Sequence, residues 1–159
     1  MATERKAFAA ANLANRYVIV SAGLNNAAQG AVALNSVERY DVSNDAWEQL
    51  PALNKARQGH ASVATGGSVF VLCGATTDGD AMNSVEVLLD AASSVDLLGS
   101  WISIPILTSD LLPRWMPAVS VLNEDEIVVL GGTGIVDDEV SDLGDAIVLD
   151  VSTPETPEV

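Results

Sequence analysis

Three short apolar runs, each closed by a pair of small residues, recur along the chain: Tyr17-Val-Ile-Val-Ser-Ala-Gly23, Ser68-Val-Phe-Val-Leu-Cys-Gly74 and Glu126-Ile-Val-Val-Leu-Gly-Gly132. The runs are strand-sized, Gly, Asn, Asp and Pro bound them, and no long stretch has helical spacing, so the pattern predicts an all-β chain. The closing glycines lie 51 and then 58 residues apart, which marks a repeated sheet unit. An arginine precedes each glycine by 17 or 18 residues, as Arg5, Arg57 and Arg114. After each glycine comes a loop of small and polar residues. A second apolar stretch then ends in Asp: Asn35-Ser-Val-Glu-Arg-Tyr-Asp41, Asn83-Ser-Val-Glu-Val-Leu-Leu-Asp90 and Asp145-Ala-Ile-Val-Leu-Asp150. Each unit therefore reads as a four-stranded antiparallel meander. Thr65-Gly66-Gly67 and Asn123-Glu124-Asp125 have the chemistry of tight hairpin turns, because Gly and Asn tolerate positive φ. The aliphatic run from Ile127 to Leu130 suits a strand covered on both faces. One stretch, residues 91–99, breaks the pattern and reads as an inserted helical turn.

These elements resemble the Kelch family. The resemblance rests on Arg57-Gln-Gly-His60, the aliphatic run into Cys73-Gly74, the Asn-Ser-Val-Glu strand openings, and the spacing of Tyr40 and Trp47. It covers residues 5–152, although only the first unit keeps every element. The second has Leu88 in the tyrosine position and six extra residues before Trp101; the third has Leu149 there and no later tryptophan. The resemblance implies a Kelch-type β-propeller segment of about three four-stranded antiparallel blades. The whole chain, 1–159, reads as one domain with blades at 5–53, 57–109 and 114–152. The last blade is expected to lack its outer strand, and residues 153–159 form a flexible acidic tail. A propeller normally needs roughly four to eight blades, so the chain reads either as a piece of a longer propeller or as a part whose ring other subunits finish.

Charge bears on that choice. Residues 1–57 carry +1 and residues 58–159 carry −16, against −15 for the whole chain. Clustered cations, the footprint of nucleic-acid or anionic-membrane binding, are absent from the sequence, so neither partner is expected. The asymmetry is compatible with a head-to-tail homodimer, the less acidic first blade of one copy meeting the acidic third blade of the other to complete a six-bladed ring. A strongly acidic surface also simply keeps a protein soluble. No stretch approaches the roughly eighteen apolar residues of a membrane span. With Cys73 as its only cysteine the chain has no internal disulfide, and a cytoplasmic location is expected.

Candidate chemistry is sparse. Cys73 lies in the apolar run of the second unit and reads as a packed small hydrophobe. His60 is the only imidazole, and a Cys-His nucleophile pair lacks an orienting group and an oxyanion site in the sequence. Asp41-Val-Ser-Asn-Asp45 begins like a calcium loop but lacks the central glycine and the distant glutamate. The dense cluster of Asp137, Asp138, Glu139, Asp142 and Asp145 reads as a solvated acidic loop. No catalytic residue, metal or cofactor is expected. Tyr17, Phe70, Tyr40 and Trp47 read as inter-blade packing, with Trp101 as the counterpart of Trp47.

The loops joining strands two and three emerge on the same face as the inter-blade linkers, and they are the long ones. Long loops on a rigid scaffold are the usual place for recognition. On this face Arg57 and Arg114, by resemblance, and Trp115, beside Pro113 and Arg114, form the expected protein contacts. Asp78, Asp80, Asp137, Asp138 and Glu139 add an acidic rim that favours a basic partner surface. The expected function is a protein-interaction module or scaffold subunit. The alternatives are part of a Kelch-propeller enzyme acting on a sugar or small molecule, with a pocket using His60 and Arg57, and a purely structural subunit of a larger assembly.

Overall fold

The computed structural model describes residues 1–27, 30–91, 99–104 and 111–152. Its strands are β1 (Ala9–Leu13), β2 (Tyr17–Ser21), β3 (Leu24–Ala27), β4 (Gly30–Ala33), β5 (Val37–Asp41), β6 (Ala46–Leu50), β7 (Ala61–Thr65), β8 (Ser68–Leu72), β9 (Val85–Leu88), β10 (Ile102–Ile104), β11 (Arg114–Trp115), β12 (Ala118–Asn123), β13 (Glu126–Leu130), β14 (Thr133–Val136), β15 (Glu139–Asp142) and β16 (Ala146–Asp150). No helix occurs among the described residues. The helical turn expected at 91–99 and the tail at 153–159 fall largely or wholly outside them.

Three antiparallel sheets follow one another: β1-β2-β5-β6, β7-β8-β9-β10 and β12-β13-β16. They are the blades of a partial propeller, the third with three strands among the described residues. The first strands of the blades pack side by side, β1 on β7 and β7 on β12, around a common axis. The closing glycines occupy equivalent places. Gly23, Gly74 and Gly132 have φ of 95°, 96° and 100°, and the residues before them, Ala22, Cys73 and Gly131, have φ of 48°, 62° and 55°. A side chain on any of these three glycines would strike the backbone of its own blade's incoming segment: Lys6 O at 2.7 Å, Gln58 O at 2.7 Å or Trp115 O at 2.9 Å. Left-handed backbone at Ala22 and Cys73 explains why small residues stand where a double glycine would be easiest.

Alternation within the strands builds two apolar layers. Ala11, Leu13, Tyr17, Ile19, Val37 and Leu50 of the first blade meet Val69, Val71, Leu88 and Trp101 of the second. Because side chains alternate across a strand, the other side of the second blade offers Phe70, Leu72, Val85 and Val87 to Ile127, Val129 and Leu149 of the third. The second blade is thus covered on both faces, whereas each outer blade has one open face. The inter-blade packing expected of Tyr40 and Trp47 is accordingly not made among the described residues. The two rings lie 5.0 Å apart, and the pair stands on the open face of the first blade, with Trp47 41% exposed.

Two turn expectations separate. Gly66 and Gly67 link β7 to β8 with φ of 57° and 79°, the geometry of a two-residue hairpin whose central residues both take positive φ. Asn123 does not use positive φ. Its Oδ1 accepts a hydrogen bond from the Asp125 N–H at 2.9 Å, and a register shift lies between Val121 and Asn123. The stretches expected to be plain loops after Gly23 and Gly132 are instead hairpins, β3–β4 and β14–β15.

Candidate functional site

These hairpins form a second tier on the linker side of the blades. Lys6 pairs with Leu24 and Leu34 with Arg57; Gln58 pairs with Ala75, Ala75 with Ala81 and Met82 with Arg114; β11 then pairs with β14 and β14 with β15. The expected recognition face is therefore a belt of backbone pairs running from one blade to the next.

Within it the arginines have one repeated task. Arg5 bonds Glu38 at 2.9 Å, Arg57 bonds Glu86 at 2.6 Å and Arg114 bonds Asp145 at 2.6 Å, and all three arginine side chains are fully buried. The same guanidiniums donate to Ala22 O, Cys73 O and Gly131 O, the carbonyls just before the closing glycines. Glu86 also accepts from the Asn54 and Lys55 N–H groups, as Glu38 does from the Ala2 N–H. Each arginine thus ties the end of a second strand to the start of a third. In the last blade Ile147 stands where Glu38 and Glu86 would, and the carboxylate moves back by one strand period to Asp145, on the same side of the strand. Arg57 and Arg114 as exposed partner contacts are accordingly corrected. Their charges are spent inside the blades, because a buried guanidinium persists only when it is paired and hydrogen-bonded. Burial pulls the Arg57 guanidinium below its ordinary value, and Glu86 opposes that pull.

The other expected contacts lie at the surface. A cleft of about 540 Å³ opens where the innermost strands begin, lined by Phe8, Gln58, His60, Ala75, Gly79, Trp115 and Met116 among others. Trp115 is half-buried in its wall, while Phe8 and Met116 are 43% and 66% exposed. Asp78 and Asp80, both exposed, flank Gly79 at the rim. Asp137 and Asp138 are the central residues of the β14–β15 turn, with φ of 52° and 64°, and Glu139 opens β15. All three are exposed, and none lines the cleft. Phe8 and Met116 were missed because each stands at the start of an apolar strand segment, where a large apolar side chain reads as core. The signal that could have found them is the count from each arginine: Met116 stands two places after Arg114, as Ala7 and Gly59 do after theirs with φ of 51° to 55° at all three, and Phe8 stands three places after Arg5, as His60 does after Arg57.

His60 and Cys73 are both buried. The His60 Nε2 is 2.8 Å from the Ser21 hydroxyl, and Nδ1 has no partner. Burial first and the Arg57 charge second lower its pKa to about 3, so the ring is neutral in the fold. The Cys73 thiol is pushed up to about 11 by burial. Among the described residues no group of three or more His, Cys, Asp or Glu is placed to hold a metal ion. The Asp41 carboxylate instead binds its own turn, accepting from the Ser43 and Asn44 N–H groups and from Arg16, which holds its pKa down to about 2. No helix of the described residues is long and apolar enough to cross a membrane.

A pH dependence follows from His60. Its folded pKa lies below the 6.5 of an unperturbed imidazole, so the unfolded chain binds the proton more readily. The stabilisation is complete above pH 6.5 and is lost as pH falls through the window down to about 3. Between pH 7 and pH 5 the expected loss is about 2 kcal/mol, read from urea midpoints. His60→Gln should flatten the profile across that window, and an unchanged slope would contradict the assignment.

Comparison with known families agrees with the geometry. Residues 5–54 match the Kelch motif. No curated protein matches the chain. Residues 5–54 comprise the first sheet and its arginine clamp, and the next two sheets repeat that clamp, the closing glycine and the order of strands. The first blade is therefore a Kelch motif, and the two sheets that follow repeat its geometry.

Proposed function

We propose that this chain is a protein-interaction module without catalysis of its own, working in the cytoplasm as a ring that two copies complete head to tail. Its partner binds the linker face through the cleft walled by Trp115. The observation that carries this reading is the cleft itself. An apolar hollow containing Phe8, Trp115 and Met116, with Asp78 and Asp80 at its rim, fits an apolar anchor flanked by basic residues, because a desolvated aromatic pocket supplies affinity and the rim charges supply selectivity. The acidic turn at Asp137 and Asp138 extends the same preference beyond the cleft. Buried, neutral His60 and the protonated Cys73 thiol suit packing better than proton transfer or nucleophilic attack.

Peptides selected from a displayed random library against the purified chain test this. Enriched sequences are expected to carry an aromatic or large aliphatic residue next to Lys or Arg, and their binding should weaken as salt rises. Trp115→Ala should weaken them by about thirtyfold, or 2 kcal/mol. Asp78→Lys with Asp80→Lys should remove the salt dependence. Selected peptides that bind Trp115→Ala unchanged, or a library that yields no enrichment, would overturn the reading.

A further inference from the structure

The seams between blades are built twice from the same three backbone hydrogen bonds. Between the first and second blades, Gly23 N–H donates to Arg57 O and Arg57 N–H to Leu34 O, both at 2.9 Å, and Gly59 N–H donates to Ala7 O. Between the second and third, Gly74 N–H donates to Arg114 O at 2.8 Å, Arg114 N–H to Met82 O at 3.1 Å, and Met116 N–H to Gly59 O. Carried one step further, the same rule requires Gly132 N–H, Leu143 O and Met116 O on the third blade to meet the O and N–H of an arginine and the N–H of the residue two places beyond it. None of those three groups has a backbone partner among the described residues. The matching set, Arg5 O, Arg5 N–H and Ala7 N–H on the first blade, likewise has no backbone partner among the described residues.

Side chains tell the same story. Trp101 and Trp47 occupy the same register position, one place before the residue opposite Val87 or Arg39. Trp101 is 3% exposed beneath the first blade, its Nε1–H bonded to Pro51 O at 2.9 Å, whereas Trp47 is 41% exposed. Among the described residues no blade packs on the Trp47 face. The open face of the third blade offers a match: Leu130 and Val148 are 40% and 47% exposed there, with Val128 between them. Charge fits as well. Leu34 pairs with Arg57, which places Leu143 opposite Arg5 and therefore Asp142 opposite Lys6; both are exposed and of opposite sign.

We infer that a second copy of this chain closes the ring at this seam, with Arg5 to Ala7 of each copy adding to the belt at Gly132, Met116 and Leu143 of the other, Trp47 lying against Leu130 and Val148, and Lys6 pairing with Asp142. This rests on the two-copy reading above and assigns its interface. Two such seams, related by a two-fold axis, give six blades without an open face.

The test is mass and crosslinking on the whole chain at tens of micromolar. The native chain is expected at twice 16.5 kDa. Lys6→Cys combined with Asp142→Cys should oxidise to a covalent dimer on a non-reducing gel, because cross-strand neighbours lie within disulfide reach. Either single variant should not, since like positions sit on opposite sides of the ring. Leu130→Asp with Val148→Asp should give a monomer that keeps its β-sheet circular dichroism. A dimer that neither crosslinks through the cysteine pair nor responds to the two aspartates would overturn this seam and leave the two-copy reading standing. A native chain that stays monomeric would overturn both.

Discussion

Arg57→Ala is expected to cost about 3–5 kcal/mol of folding stability, enough to unfold much of a marginally stable chain. The substitution removes the cation that Glu86 needs, and Glu86 has no exposed route to water: both side chains of this 2.6 Å pair are essentially inaccessible. It also leaves Cys73 O without its side-chain donor and takes one of two donors from Ser84 O, which keeps the Cys73 N–H. Glu86→Ala should be comparably damaging, because the Asn54 and Lys55 N–H groups lose their acceptor as well. The double variant should cost less than the sum of the singles by at least about 2 kcal/mol, since the second change removes a charge already stranded by the first. Urea unfolding of the four proteins measures this cycle. Losses below about 1 kcal/mol for the single variants would show the clamp to be peripheral.

Gly74→Ala is expected to cost about 3 kcal/mol or more. The new methyl would sit 2.7 Å from Gln58 O and 2.8 Å from His60 Cβ, with the backbone at φ +96°. Neither contact is the end of a flexible side chain, so relief requires the incoming segment of the blade to move. Gly79→Ala is the control. Its φ is +94°, yet nothing lies within 4 Å of the added carbon, so only the backbone preference is lost, at about 1 kcal/mol. Thermal or urea unfolding that ranks the two variants equally would contradict the close approach at Gly74.

Much of the fold was legible because its determinants are local. Apolar runs closed by Gly23, Gly74 and Gly132 gave strand, turn and repeat together, and the Gly66-Gly67 pair gave a hairpin. The second tier was not legible: Leu24-Asn-Asn-Ala has no apolar alternation, and β3 forms because Lys6 and β4 supply its ladder. The β14–β15 hairpin had a fainter trace in Asp137-Asp138, set between Ile-Val and Glu-Val, although Asp pairs serve equally as solvated loop. Loop position and composition were enough to place Trp115, Asp78 and Asp80 on the linker face, where the structure has them at or beside the cleft. Arg57 and Arg114 were expected as contacts from the resemblance alone, which carries register but not burial, and both lie buried in ion pairs. The correcting signal lay elsewhere, in Glu38 and Glu86 standing within apolar strands, where a carboxylate demands a buried cation. Exposure of Trp47 against burial of Trp101 depends on which neighbour each blade has, and no local pattern encodes that.

Three equivalent blades joined by repeated seams make this fold, and amide hydrogen exchange at the closing glycines examines those seams directly. In the monomeric Leu130→Asp/Val148→Asp chain, the Gly23 and Gly74 amides should both be protected, because each donates across a seam, while Gly132 exchanges at least about a hundredfold faster. Free exchange at Gly23 and Gly74, or a Gly132 amide as slow as theirs in that monomer, would contradict that arrangement.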